Sequence, residues 1–285
     1  MIGSGSPTIV TRFAPSPTGY LHLGHAHSAL LAWRRAREAG GRFLVRLEDI
    51  DATRCRAEFA DAALADLAWL GIDWDGAVRR QSAHFADYRR ALDRLEGLGL
   101  VYPCFCTRAA IQAEIARAGS APHGPEGPIY PGTCRGRAAD ERRRRIAAGE
   151  AVALRLDVRR ALAGIGELDW VDEQAGSIRA NPASHGDVVL ARKEMPTSYH
   201  LAVTVDDALQ GVTLVTRGED LFTATHIHRL LQALLGLPVP HYHHHKLLTD
   251  ASGRRYAKRD RALTLRALRE AGRTPAEVRK MAGFA

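Results

Sequence analysis

The sequence predicts an α/β fold: a parallel sheet with crossover helices, interrupted by an inserted subdomain. Three observations carry this. Residues 8–14 (TIVTRFA) read as a short buried strand, a Pro/Gly-rich turn follows, and a helical pattern from His25 leads into a second strand, RFLVRLED. That order is a βαβ unit, which requires a parallel pair. The rhythm then breaks over 102–150, where three of the four cysteines gather, and it returns at DVVLAR and GVTLVTRGEDL. Finally, 285 residues with 46% hydrophobic content can bury a sizeable core without disulfide staples.

Each element has its local reason. Ala29, Leu30, Ala32, Trp33 and Ala36 fall near one face of the first helix, which Gly40-Gly41 ends. Further amphipathic helices are expected over 54–71 and 84–99. Segment 102–150 holds the cysteines, a loose Gly/Pro loop at 119–132 and the basic run DERRRRIAAGE. Strand-like AVALRLDV and GELDWVD follow, then SYHLAVTVDDAL and a helix at about 223–235. HHHKLLTDASGRRYAKRD reads as a loop-rich tail and 261–285 as a short helical end. The expected division is a discontinuous Rossmann-like domain (1–101 and 197–250), an inserted subdomain (102–196) and a tail (251–285). Ligands of such sheets bind beyond the carboxyl ends of the strands, so the loops Pro15–His25 and Glu48–Asp51 should face one crevice.

Composition narrows the function classes less sharply. The formal charge of +8, mostly arginine, favours a polyanionic partner through phosphate contacts, although a genome rich in Arg codons would produce the same excess. No stretch approaches the ~20 apolar residues of a membrane span, and MIGSGSPTIVTRF has no charged region followed by an apolar core. A cytoplasmic, monomeric protein with no membrane partner is the expectation. Four cysteines in such a chain argue against disulfides, and the grouping of Cys104, Cys106 and Cys134 suggests a metal site. Three thiolates plus one further ligand would close a tetrahedral structural zinc site, with His123, Tyr130 and Asp140 open as the fourth.

The densest chemistry lies at His22-Leu23-Gly24-His25, where a strand-loop meets a helix N-terminus. Backbone N–H groups and the helix dipole favour phosphate there, and two imidazoles flanking a glycine can donate to ATP. The string TRFAPSPTGYLHLGHAHSALLA resembles the N-terminal signature of glutamyl- and glutaminyl-tRNA synthetases, its HLGH matching the "HIGH" element of class I synthetases. The resemblance continues through LVRLEDIDATR, PTSYHLAVTVDDALQGVTLVTRGEDL and GRRYAKRD, roughly residues 8–260.

The resemblance implies a class I synthetase catalytic domain and assigns roles. His22 and His25, with Lys258, would be catalytic; together with Gly24 they would bind ATP. Arg12 would pair with the substrate's side-chain carboxylate, for which a bidentate guanidinium suits a planar anion. Phe13, Ala14, Pro15 and Ser16 would line the glutamate site, Glu48 would hold its α-ammonium, and Tyr199 and Arg217 would complete the pocket. Lys258 falls in Arg255-Tyr256-Ala257-Lys258-Arg259, similar to the "KMSKS" loop but with Arg255 and Ala257 where lysine and a hydroxyl residue are usual. The spacing Cys-x-Cys…Tyr-x3-Cys resembles that of the short glutamyl-queuosine tRNA synthetases, which favours Tyr130 as the fourth ligand. His241, His243, His244 and His245 read as a polar strand-to-loop edge rather than ligands. Arg142–Arg145 reads equally as a solvated helix face or an RNA contact.

The function so implied is activation of glutamate with ATP and Mg²⁺, followed by transfer to queuosine in the anticodon of tRNA(Asp). The short stretch after Lys258 leaves no room for the anticodon-binding domain of full-length glutamyl-tRNA synthetases, which is what turns the expectation from a tRNA 3′ end to a modified base. The alternatives are a truncated glutamyl-tRNA synthetase acting on tRNA(Glu), and a catalytically weak paralogue that only binds tRNA or an amino acid.

Overall fold

A computed structural model of the chain describes residues 8–117, 123–125, 127–248 and 264–284. Its strands, in chain order, are β1 (Val10–Phe13), β2 (Arg42–Leu47), β3 (Arg79–Arg80), β4 (Val101–Cys104), β5 (His123–Gly124), β6 (Gly127–Pro128), β7 (Ala153–Leu156), β8 (Asp169–Asp172), β9 (Gly176–Arg179), β10 (Val189–Ala191), β11 (Leu214–Gly218) and β12 (His241–His245). The helices are α1 (Leu23–Glu38), α2 (Ala57–Trp69), α3 (Phe85–Gly97), α4 (Arg108–Arg117), α5 (Ala139–Ala147), α6 (Val158–Ala163), α7 (Tyr199–Leu209), α8 (Ala224–Leu235), α9 (Leu265–Glu270) and α10 (Pro275–Met281).

β1 pairs in parallel with β2, and β2 with β3. On the other side of β1, the Thr213 N–H donates to the Val10 carbonyl (3.0 Å) and the Val10 N–H donates to the Thr213 hydroxyl (2.8 Å), which sets β11 beside β1. β11 pairs in parallel with β12, β12 with β8, and β9 folds back antiparallel on β8. The spatial order is therefore β3-β2-β1-β11-β12-β8-β9. It reverses direction between β1 and β11, and a crevice opens beyond the carboxyl ends of strands at such a switch point. A Cβ on Gly41 would lie 2.0 Å from the Ile9 carbonyl, the same oxygen that accepts the Arg42 N–H (2.8 Å), so the α1–β2 turn closes on β1 only with glycine there.

One face of the sheet is covered by α1, α2, α9 and α10, whose Ala26, Ala29, Leu30, Leu67, Leu265 and Val278 share a core with Phe43 and Val45. Helices α3, α7 and α8 build a second core around Tyr88, Leu92, Leu201, Ile227 and Leu231. No helix among the described residues is long and apolar enough to cross a membrane.

Two expectations are corrected here. The 102–196 insert is split between two sheets: β4, β7 and β10 form their own antiparallel sheet, whereas β8 and β9 join the parallel one beside β12. Trp170 on β8 explains this, since it is buried against Val212, Val215 and Tyr242 of the parallel layer. The histidine run is likewise not an edge. It forms β12 between β11 and β8, with His244 and His245 buried, because Asp172, Ser28 and Lys246 supply partners for their ring nitrogens. The two-residue strand β3, the hairpin β5–β6 and the return strand β9 were not anticipated from sequence; β3, β5 and β6 are too short to show an alternation, and β9 shows none.

Candidate active site

A cleft of about 500 Å³ opens where the sheet reverses. Arg12, Phe13, Ala14, Pro15, Ser16, His22, Gly24, His25, Glu48, Tyr199 and Arg217 all line it, drawn together from five separate stretches of chain. The Glu48 N–H donates to the Pro15 carbonyl (3.0 Å), which ties the two loops expected to meet there. Lys258 lies outside the described residues. Leu248 lines the cleft, and Thr264 forms an isolated β-bridge with His22.

The two motif histidines are fixed by the helix they open. His22 is the N-cap of α1, in extended conformation, and its Nδ1 accepts the Gly24 N–H (3.1 Å). His25 returns the contact, its Nδ1 accepting the His22 N–H (3.1 Å). This is a capping box built from imidazoles in place of Ser and Glu. Because each Nδ1 accepts, each neutral ring must carry its proton on Nε2. Two Nε2–H donors are thereby set at a helix N-terminus, where an anion is favoured. Gly24 has a second reason beyond backbone access: a Cβ there would sit 3.1 Å from His22 Cε1, pushing the capping ring off its position.

The charged residues divide into paired and unpaired. Arg12 donates from Nε and Nη2 to the two carboxylate oxygens of Asp207 (3.0 and 3.4 Å) and from Nη1 to the Thr216 carbonyl (3.2 Å). Asp207 also accepts from Arg46 Nη1 (2.8 Å). Burial alone would raise the Asp207 pKa, but the two guanidiniums hold it below the ordinary carboxylate range. Arg46 reaches on to Glu48 (3.3 Å), whose carboxyl is pushed up by burial despite that partner. Helix α7 makes this network possible. It is buried all round from Leu201 to Asp207, so its two acids need internal partners, and Asp206 takes Arg79, Gln81 and Tyr88.

Arg217 differs. It is 6% exposed, on β11, and its guanidinium donates to His244 Nε2 (3.1 Å), Tyr199 Oη (3.3 Å), His228 Nδ1 (3.2 Å) and Thr225 Oγ1 (2.5 Å). Among the described residues no carboxylate lies within ion-pair distance of it. A buried cation with four neutral partners beside an open cleft is a site for an external anion. Thr216, on the same wall, has a buried hydroxyl with no hydrogen-bond partner among the described residues. His228, Thr225, Asp207 and Arg46 escaped the sequence reading, and His244 was read only as part of a polar edge. The pair Asp206-Asp207 inside an apolar helix could have signalled the buried acids and the arginines that match them.

The cysteine group lies apart, on the β4–β7–β10 subdomain. Cys104, Cys106 and Cys134 Sγ all lie within 4.8 Å of one another. Tyr130 Oη is 3.4 Å from Cys104 Sγ and 3.6 Å from Cys106 Sγ. A zinc–sulfur bond of about 2.3 Å sets tetrahedral ligands roughly 3.8 Å apart, so these four donors fit such an ion. Asp140 does not join them, being ion-paired with Arg143 at the surface. The arginine run divides: Arg145 stacks over Phe105 (4.1 Å) and pairs with Glu150, and Arg142 caps the Cys134–Arg135 carbonyls, while Arg143 and Arg144 face solvent.

Comparison with known proteins shows the family. Residues 8–282 match the family model of class I tRNA synthetases (E and Q), catalytic domain. A glutamyl-Q tRNA(Asp) synthetase of Rhodobacter capsulatus is 52% identical over 97% of this chain and 100% of its own length. One from Symbiobacterium thermophilum is 48% identical over 94% of this chain and 83% of its own. Among solved structures, a glutamate tRNA ligase of Elizabethkingia meningosepticum, in complex with its amino acid, superposes with a TM-score of 0.75 at 26% identity over 89% of this chain. The chain spans 52% of that ligase, about half its length.

Proposed function

Because the chain belongs to the class I (E and Q) tRNA synthetases, and among them to the glutamyl-Q tRNA(Asp) synthetases, we propose that it activates glutamate and passes it to queuosine in tRNA(Asp). In the first step an α-carboxylate oxygen of glutamate attacks the α-phosphorus of ATP and pyrophosphate leaves. In the second, a hydroxyl of the queuosine cyclopentene-diol attacks the acyl carbon of the adenylate, forming an ester and releasing AMP.

The observation that carries this reading is the uncompensated guanidinium of Arg217 at the cleft wall, within one site with His22 and His25. Arg217 takes the side-chain carboxylate, with Tyr199 beside it. Arg12, its charge matched by Asp207, contributes its remaining terminal N–H groups as hydrogen bonds. This shifts the main ionic contact from Arg12, the residue the resemblance puts first, to Arg217. Glu48, whose carboxylate burial disfavours, gains an ion pair when the α-ammonium arrives, which favours its charged form. Phe13, Ala14, Pro15 and Ser16 line the floor. The Nε2–H groups of His22 and His25 donate to the phosphates and stabilise charge that builds as pyrophosphate departs. Lys258 is assigned the same task, and Mg²⁺ enters with ATP.

Cys104, Cys106, Tyr130 and Cys134 would hold a structural zinc that staples the subdomain; the parallel sheet then carries activation and the subdomain carries contact to RNA. The test is nucleoside mass spectrometry of tRNA(Asp) after incubation with protein, glutamate and ATP. A glutamyl adduct on queuosine is expected. Glutamylation of the tRNA(Glu) 3′ end with queuosine left unmodified would overturn the reading in favour of a tRNA(Glu) ligase.

A further inference from the structure

Arg217 keeps its charge free by an arrangement of its own neighbours. A buried guanidinium ordinarily acquires a carboxylate, as Arg12, Arg46 and Arg79 do here. At Arg217 the positions a carboxylate would fill are taken by His244 and His228, one at Nε and one at Nη1. We propose that His228 and His244 are positioning residues that fix the Arg217 fork without neutralising it, and so make the cleft select a carboxylate side chain over its amide. This rests on the assignment of the cleft to glutamate.

Both rings are held in the accepting tautomer. His244 presents Nε2 to Arg217, so its proton sits on Nδ1, 2.8 Å from Asp172 Oδ2. Asp172 therefore orients the imidazole while its own charge is kept one ring away from the guanidinium. It is also held by the backbone N–H groups of Gln174, Ala175 and His244. The Tyr242 ring stacks on His244 at an interplanar angle of 4°. His228 presents Nδ1 to Arg217, and its Nε2 lies 3.2 Å from His200 Nδ1. Burial, with Arg217 adding to it, keeps both rings neutral, His244 down to about 4 and His228 well below its ordinary value. The other groups facing them, His200 and the Tyr199 phenol, are kept uncharged by burial as well. Every hydrogen-bond partner of Arg217 among the described residues is thus an uncharged acceptor, which leaves its charge to a carboxylate of the ligand.

Isosteric pairs separate charge from shape. Asn and Asp place an acceptor where His228 has Nδ1, and Gln and Glu place one where His244 has Nε2. Glutamate and glutamine binding are measured by calorimetry, and ATP–pyrophosphate exchange gives KM and kcat, for H228N, H228D, H244Q and H244E. The acidic variants should weaken glutamate binding and raise its KM roughly 10- to 100-fold, with kcat little changed and the glutamate/glutamine preference reduced by a similar factor. The amide variants should recover most of that loss. Equal effects of acid and amide at each position, or no effect of either acid, would overturn the proposal while leaving the glutamate assignment intact. A parent protein that binds and exchanges no glutamate would overturn both.

Discussion

At the level of single residues, the cleft distinguishes groups that are finished from groups that await a ligand. Arg12 and Arg46 are matched by Asp207 and Arg79 by Asp206, and opening that network by removing one partner strands a buried charge. The His22–His25 capping box is finished in a different sense: its Nδ1 atoms are committed to the backbone, which aims the remaining nitrogens. Gly24 sits against that box, and its substitution tests the geometry directly. In Gly24→Ala the Cβ, 3.1–3.2 Å from the His22 ring, must displace it by a few tenths of an ångström. A shift of that kind in a phosphate-facing donor is expected to lower kcat for pyrophosphate exchange about tenfold with KM for glutamate unchanged. A kcat equal to the parent's would show that the ring has no part in the chemistry.

At the level of elements, α2 holds a group that opposes folding. Asp66 is buried on its core face with neither carboxylate oxygen hydrogen-bonded, and Arg269 of α9 approaches only to 3.7 Å. Burial raises its pKa to about 6, with Arg269 opposing weakly. The folded form therefore holds the proton more tightly than the unfolded chain, whose carboxyl titrates near 3.9. The penalty is absent below about pH 4, grows as pH rises to about 6, and is complete above it. Asp66→Asn should accordingly be more stable than the parent by about 1–3 kcal/mol at pH 7.5, with the gain vanishing near pH 4. Urea denaturation at the two pH values measures this; a gain independent of pH would place the cause elsewhere than in the ionisation.

Across the whole molecule, the two chemistries sit on separate sheets. The activation cleft belongs to β1 and β11, whereas the cysteines and Tyr130 belong to the β4–β7–β10 layer and its own small core. Loss of the zinc proposed for the cysteines and Tyr130 should therefore act selectively. Cys134→Ser, or treatment with a strong chelator, is expected to remove about one zinc per chain by elemental mass spectrometry and to expose the subdomain to protease. Glutamate-dependent pyrophosphate exchange should stay within about threefold of the parent while glutamyl transfer to tRNA falls at least tenfold. Equal loss of both activities would mean that the subdomain supports the cleft itself.

How much of this was legible in the sequence follows the same division by range. The βαβ opening, the helix termini and the His22–His25 signature are written in contiguous residues, because turn chemistry, periodicity and capping act over a few positions. The cleft residues named from Arg12 to Arg217 were reachable through a shared signature, although their sheet neighbours were not. What the sequence by itself determined is the class of fold, where its crevice opens and which side chains border it. Tertiary structure alone decided which of those side chains are spent. Asp207, 195 residues from Arg12, matches one arginine, while His228 and His244 arrive from α8 and β12 to leave the other unmatched. Charge pairing in a buried site depends on which distant groups are brought within a few ångströms, and no local pattern along the chain records that.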